Sequence, residues 1–175
     1  MTHLVFVDSN VLIYARDPGA PSKQARAVEW LAHLWREGLG RTSTQVLSEF
    51  YVNVTGKIET RVTPDEAWQE VNTFFAWRPQ PIDPTLLARA REIERRWRLS
   101  WWDSMIVAAA QLQSCSILLT EDLQNGAVFD GVTVRNPFTL DVREPAATYT
   151  AVPVAASRHR PRGRPRKATL VTRYG

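Results

Sequence analysis

The sequence predicts an α/β protein, a three-layer α/β/α sandwich around a central parallel sheet, and three observations lead there. Residues 4–7 form a continuous apolar run, as suits a strand covered on both faces, and further short strand-like runs follow at 117–120 and 132–135. Between them lie amphipathic stretches of helical length with start and stop signals at their ends. Strands that alternate with helices of this length pair in parallel through right-handed crossovers, which puts helices on both faces of one sheet.

Taken in order, the elements read as follows. Asp8-Ser9-Asn10 turns the first strand into a short helix carrying Val11, Leu12 and Ile13. After a loop at 18–21, Ser22 reads as the N-cap of a helix with Ala25, Val28, Leu31, Leu34 and Trp35 on one face, stopped by Gly38. An extended piece at 41–43 leads into a helix over 44–54. Thr63-Pro64-Asp65-Glu66 is a strong helix start, with an N-cap, proline at the first position and a capping-box glutamate. That helix runs to about Trp77, before Pro79 and Pro81, and 80–83 reads as another short strand. Helices over 84–97 and 100–112 follow, the first rich in arginine and glutamate on its outer face. No internal repeat is visible. Beyond Phe138 the periodicity fades, so residues 1–140 are expected to form the folded domain and 141–175 a mobile basic extension.

A chain of 175 residues with 44% hydrophobic residues and seven Trp has enough apolar surface for one real core. Cys115, the single cysteine, has no partner for an internal disulfide, and no Cys/His spacing resembles a zinc site. No apolar run approaches the roughly 20 residues needed to span a bilayer, and no targeting segment is expected at the N-terminus. These features point to a cytoplasmic protein with no membrane contact. The net charge of +4 hides an asymmetry. All 18 acidic residues lie at or before Glu144, whereas seven of the 22 basic residues follow it, leaving the body at −3 and the tail at +7.

Candidate chemistry rests on four acids: Asp8, Glu49, Asp103 and Asp122. Asp8 and Asp122 directly follow strand-like runs, where open α/β sheets place their ligands. Glu49 and Asp103 stand in or at the start of apolar helical stretches, an awkward place for an ionised group without a partner. Each also has an ordinary explanation. Asp8 suits an Asx-turn or N-cap, Glu49 an exposed helix face, and Asp103 a capping box with Ser100, while Glu121 competes with Asp122. Taken jointly, four converging carboxylates would repel one another unless a cation neutralised them. A hard ion such as Mg²⁺ or Mn²⁺ suits oxygen ligands and can activate water for phosphodiester cleavage.

The order Asp8-x-Asn10-Val-Leu-Ile-Tyr, Ser48-Glu49-Phe50-Tyr51, Asp103-Ser-Met-Ile-Val-Ala-Ala-Ala and Leu-Leu-Thr120-Glu-Asp122 resembles the PIN-domain ribonucleases, in particular the VapC-type toxins of toxin–antitoxin pairs. The likeness spans roughly residues 1–140. It implies a parallel sheet flanked by helices, Mg²⁺- or Mn²⁺-dependent endonucleolytic cleavage of RNA, a homodimer, and inhibition by a small antitoxin. By that resemblance Asp8, Glu49, Asp103 and Asp122 form the catalytic quartet, with Asp8, Asp103 and Asp122 on the metal and Glu49 acting through water. Asn10, Ser104 and Thr120 stand beside these acids and would steady waters or ligands, ordinary turn and cap chemistry being their alternative. The fourth motif departs from the family pattern, since Leu123-Gln124-Asn125-Gly126 follows where another acid or aromatic is common. Trp97, Trp101 and Trp102 crowd the approach to Asp103, as base-stacking platforms or, more ordinarily, as core or dimer interface.

The tail carries its own motif. Pro161-Arg162-Gly163-Arg164-Pro165, flanked by Arg160, Arg166 and Lys167, looks like the core of an AT-hook over 160–167. Such a segment would enter the narrow minor groove of A/T-rich DNA, where negative potential draws arginine in. The broader alternative is any polyanion, bound through counterion release. A non-catalytic PIN scaffold that binds DNA or RNA through this tail is the rival to the nuclease. A phosphatase of the haloacid dehalogenase type would want an aspartate where Asn10 stands.

Overall fold

A computed structural model describes residues 3–58 and 61–139. Strands β1 (Val5–Val7), β2 (Gly40–Arg41), β3 (Ile117–Leu119), β4 (Val128–Phe129) and β5 (Val132–Arg135) form one five-stranded sheet in the order β2-β1-β3-β5-β4. β1 pairs in parallel with β2 and β3, and β3 in parallel with β5, in a register that sets Phe6 against Leu118 and Leu118 against Val134. All of Val5–Val7 and Ile117–Leu119 is buried, as expected for strands covered on both faces.

The sheet is mostly, not wholly, parallel. β4 runs antiparallel to β5 at the edge, and the sequence predicts no strand there because two residues make no periodic signal. The turn between them is Asp130-Gly131, both at positive φ (44° and 91°), which suits the twist of a two-residue hairpin.

The flanking helices are α1 (Ser9–Tyr14), α2 (Pro21–Glu37), α3 (Thr44–Gly56), α4 (Pro64–Phe74), α5 (Pro84–Trp97) and α6 (Trp101–Leu112), with a 3₁₀ turn at Phe75–Trp77. The capping box of α4 forms as the sequence predicts: Glu66 N donates to Thr63 Oγ1 at 3.2 Å, and Thr63 N donates to Glu66 Oε2 at 2.8 Å. Gly38 closes α2 in the left-handed conformation.

Two expectations are corrected. Ser22 does not cap α2; Pro21 already opens that helix, its fixed φ suiting the first helical position, and Ser22 falls inside the first turn. Residues 80–83 form no strand. Gln80 makes an isolated parallel bridge to Ser43, and Pro81, lacking an N–H, cannot extend the ladder.

The core lies on both sides of β1 and β3. Phe6, Leu118 and Leu119 are fully buried, as are Leu34 of α2, Phe50 of α3 and Ile106 of α6. α6 is buried at every position from Asp103 to Ala110, and its three successive alanines are fully buried. Among the described residues no helix is long and apolar enough to cross a membrane.

Candidate active site

Burial of β1 and β3 fixes where their carboxyl ends stand, and Asp8 is the first residue beyond β1. Its backbone N–H donates to Leu119 O at 3.1 Å, so the end of β1 is tied to the end of β3. The side chain is fully buried, which an ionised carboxylate tolerates only with donors around it. Ser9 N donates to Asp8 Oδ1 at 2.7 Å, the N-cap bond of α1, and Thr120 Oγ1 donates to Oδ2 at 2.7 Å. Capping and site formation therefore coincide in one side chain.

Thr120, the first residue beyond β3, links three neighbours. Besides Asp8, its oxygen accepts from Asn10 Nδ2 at 3.1 Å and from Asp122 N at 3.1 Å. Asn10 Nδ2 also donates to Asp122 Oδ2 at 3.2 Å. Glu49 reaches the same network from the middle of α3. Ser9 Oγ donates to Glu49 Oε2 at 2.6 Å, and Gln45 Nε2, one turn earlier on α3, donates to Oε1 at 3.1 Å. Asp8, Glu49 and Asp122 are thus spaced by hydroxyls and an amide that each can accept from.

Asp103 is buried in the first turn of α6. Its backbone N–H donates to Ser100 Oγ at 3.1 Å, the N-cap half of the capping box predicted for this pair, and its carboxylate Oδ2 accepts from the Ser100 hydroxyl at 2.7 Å. The Ser104 hydroxyl goes to Ser100 O at 2.8 Å, back along its own helix. α6 meets the site through Trp102, which lines a groove of about 560 Å³ together with Ser9, Asn10, Glu49, Asp122 and Ile82.

Glu121 and Asp122 part company. Glu121 Oε2 accepts from Lys23 Nζ at 2.6 Å, and Lys23 also donates to Tyr14 OH at 3.1 Å and lies over the Tyr14 ring at 4.4 Å. Burial alone would lower the Lys23 ammonium, but the hydrogen bonds and charges of Glu121 and Tyr14 outweigh it and hold it above its ordinary value. With Glu121 engaged on α2, Asp122 is the acid of this pair that lines the groove.

Ser9, Gln45 and Lys23 are the participants that the sequence pattern did not single out. Gln45 carried a signal, four residues before Glu49 on one helix face. Ser9 and Lys23 act across 40 and 98 residues, and nothing local marks them. Of the three tryptophans before Asp103, Trp97 packs edge-on against Phe129 at 5.4 Å and Trp101 packs against the core. Trp102 alone of them reaches the groove. The tail residues Arg160, Arg162, Gly163, Arg164, Arg166 and Lys167 lie outside the described residues.

Residues 5–127 match the family model of the PIN domain. The chain belongs to the PIN domain family. The match takes in Asp8, Glu49, Asp103 and Asp122 and ends just before the β4–β5 hairpin. Among solved structures, a toxin–antitoxin complex from Klebsiella pneumoniae is similar in fold, with a TM-score of 0.51 and 22% identity over 76% of this chain and 97% of that one. A search of the curated proteins found no match.

PIN domains are typically nucleases that use divalent metal ions. Among the described residues no three Asp, Glu, His or Cys side chains converge closely enough to grip one ion as they stand. The donor set nevertheless fits a hard cation. The oxygens it could offer are those of carboxylates and one amide, and Asn10 Oδ1 is buried with no hydrogen-bond partner among the described residues. Mg²⁺ keeps several waters and needs only one or two protein carboxylates directly, so wider spacing suits it.

Proposed function

We propose that this PIN domain is a Mg²⁺- or Mn²⁺-dependent endoribonuclease, the VapC-type toxin of a toxin–antitoxin pair, acting in the cytoplasm. The observation that carries this reading is the network running from Asp8 through Thr120 and Asn10 to Asp122, and from Ser9 to Glu49, at the carboxyl edge of a parallel sheet in an open groove.

Asp8, Asp103 and Asp122 would hold the ion, with Glu49 acting through water. When bound, the ion supplies an activated water and offsets charge on the phosphate. The chain's own contribution is placement. Thr120 Oγ1 and Ser9 N hold the two oxygens of Asp8 in place, and Asn10 fixes the rotamer of Asp122. Ser9 and Gln45 hold both oxygens of Glu49, so the carboxylate can order a water without swinging. Ser104 supports Ser100, which in turn holds Asp103.

The basic residues at 160–167 would add affinity for RNA, or for A/T-rich DNA, through phosphate contacts that weaken with salt. A homodimer and a cognate antitoxin complete the reading, the latter supported by the toxin–antitoxin complex of similar fold.

The test is cleavage of a mixed structured and single-stranded RNA pool with Mg²⁺ or Mn²⁺ and with EDTA. Wild type runs beside Asp8→Asn and Asp103→Asn, each checked for folding by circular dichroism. Metal-dependent cleavage lost in both variants is the expected result. A folded, metal-loaded wild type that cuts nothing in the pool overturns the proposal.

A further inference from the structure

The half-exposed tryptophans differ in the company they keep. Trp35 lies against Phe74 and Trp77, with ring centroids at 5.7 and 4.9 Å, and Trp68 meets Phe75 edge-on at 6.2 Å. Trp102, 45% exposed, has no aromatic ring against it among the described residues. Trp35 and Trp68 line other grooves, whereas Trp102 lines the one that holds Ser9, Asn10, Glu49 and Asp122. Packing does not explain so large a side chain there. The buried face of α6 begins at Asp103, and Trp102 falls outside it. The indole stands on a firmly held turn all the same, because Ser100 fixes the next residue from both its backbone and its carboxylate.

We propose that Trp102 is a nucleobase-stacking platform of the acid groove, holding a base of single-stranded RNA beside the phosphate that the carboxylates address. This deepens the ribonuclease reading and rests on it. A nucleotide has a charged half and a flat aromatic half, and the groove offers a match for each. Its acids and amides face the first; Trp102, with Ile13 and half-exposed Ile82 in the same lining, faces the second. A base presents a π-face whatever its identity, so an indole platform binds the strand without reading its sequence. Beside its apolar part the lining carries Gln45, Ser48, Asn53 and Lys57, whose amides, hydroxyl and ammonium can meet the sugar and phosphate of a nucleotide.

The test uses the full-length chain and a short RNA that wild type cleaves in Mn²⁺. Single-turnover kcat/KM is measured for wild type, Trp102→Ala and Trp102→Phe, all shown to unfold at the same urea concentration. The same RNA is then made with one abasic nucleotide at each position flanking the cut. Trp102→Ala should lower kcat/KM about tenfold, with Trp102→Phe retaining most of it. One abasic position should cost wild type a similar factor and cost Trp102→Ala nothing further. If Trp102→Ala cleaves as well as wild type, or if every abasic loss is equal in the two proteins, the platform is refuted while the ribonuclease stands. A Trp102→Ala variant that loses only capture of a protein partner refutes it too. Wild type that cleaves no RNA sinks both readings together.

Discussion

The Thr120 hydroxyl gives its one proton to Asp8 Oδ2, at 2.7 Å, and fills both lone pairs from Asn10 Nδ2 and Asp122 N, each at 3.1 Å. No capacity of that oxygen is left over, and the residue is fully buried. Thr120→Val keeps the shape and removes the proton, leaving the buried Asp8 carboxylate one donor short. The cost should be about 1–3 kcal/mol, the range for a buried polar group that loses its partner. Urea unfolding of Thr120→Val beside Thr120→Ser measures it. Serine should stay near wild type, and equal midpoints for all three would show that the bond contributes nothing.

Glu121 and Asp122 are neighbours in sequence with different partners, Lys23 for the first and Asn10 for the second. Glu121→Gln should therefore leave most RNA cleavage in place, while Asp122→Asn should lower it by at least tenfold. Stability should hardly separate the two, because the Lys23–Glu121 pair is about a third exposed on its lysine side and such pairs contribute little. Initial cleavage rates at saturating Mn²⁺ decide the assignment. The reverse order of losses would move the ligand role to Glu121.

What the sequence revealed of this fold and site was local. The buried strand before Asp8, the Thr63–Glu66 capping box and the Gly38 stop each depend on residues within one turn of each other, and each formed as read. The Ser100–Asp103 pair was legible for the same reason. The joins were not. Ser9 to Glu49 spans 40 positions and Lys23 to Glu121 spans 98, distances over which no periodicity speaks. The missed β4 had one available sign, Asp130-Gly131, a pair that favours a two-residue hairpin turn. The Ser22 cap failed because Pro21, pre-set for the first helical position, competed for the same turn and won.

Gly40 is in β2 because nothing larger fits. A Cβ there would stand 2.4 Å from Trp77 Cε2 and Cζ2, and Trp77 is itself 3% exposed and packed between Trp35 and Phe74. The indole has nowhere to go. Gly40→Ala should cost about 1–3 kcal/mol by overpacking, measured as a lower urea midpoint. Trp77→Phe withdraws the offending ring, so in the double variant the alanine should cost less than it does alone. A simple sum of the two single effects would place the strain elsewhere.

Cys115 lies just before β3, 5% exposed, and burial pushes its thiol up to about 12, the charge of Arg41 offsetting only part of the effect. The folded chain therefore keeps this proton where an unfolded one, with a thiol near 8.5, releases it. Above that pH the unfolded state binds fewer protons, so stability must fall as pH rises, and it falls through this group only while the folded thiol stays protonated. Two outcomes follow. At pH 8 iodoacetamide should leave the native protein unmodified and label it once urea unfolds it, because the thiolate is the reacting form. Between pH 8 and 10, Cys115→Ala should lose less stability than wild type. Rapid labelling of the native chain, or identical alkaline slopes for the two proteins, would mean that the thiol meets solvent in the folded state.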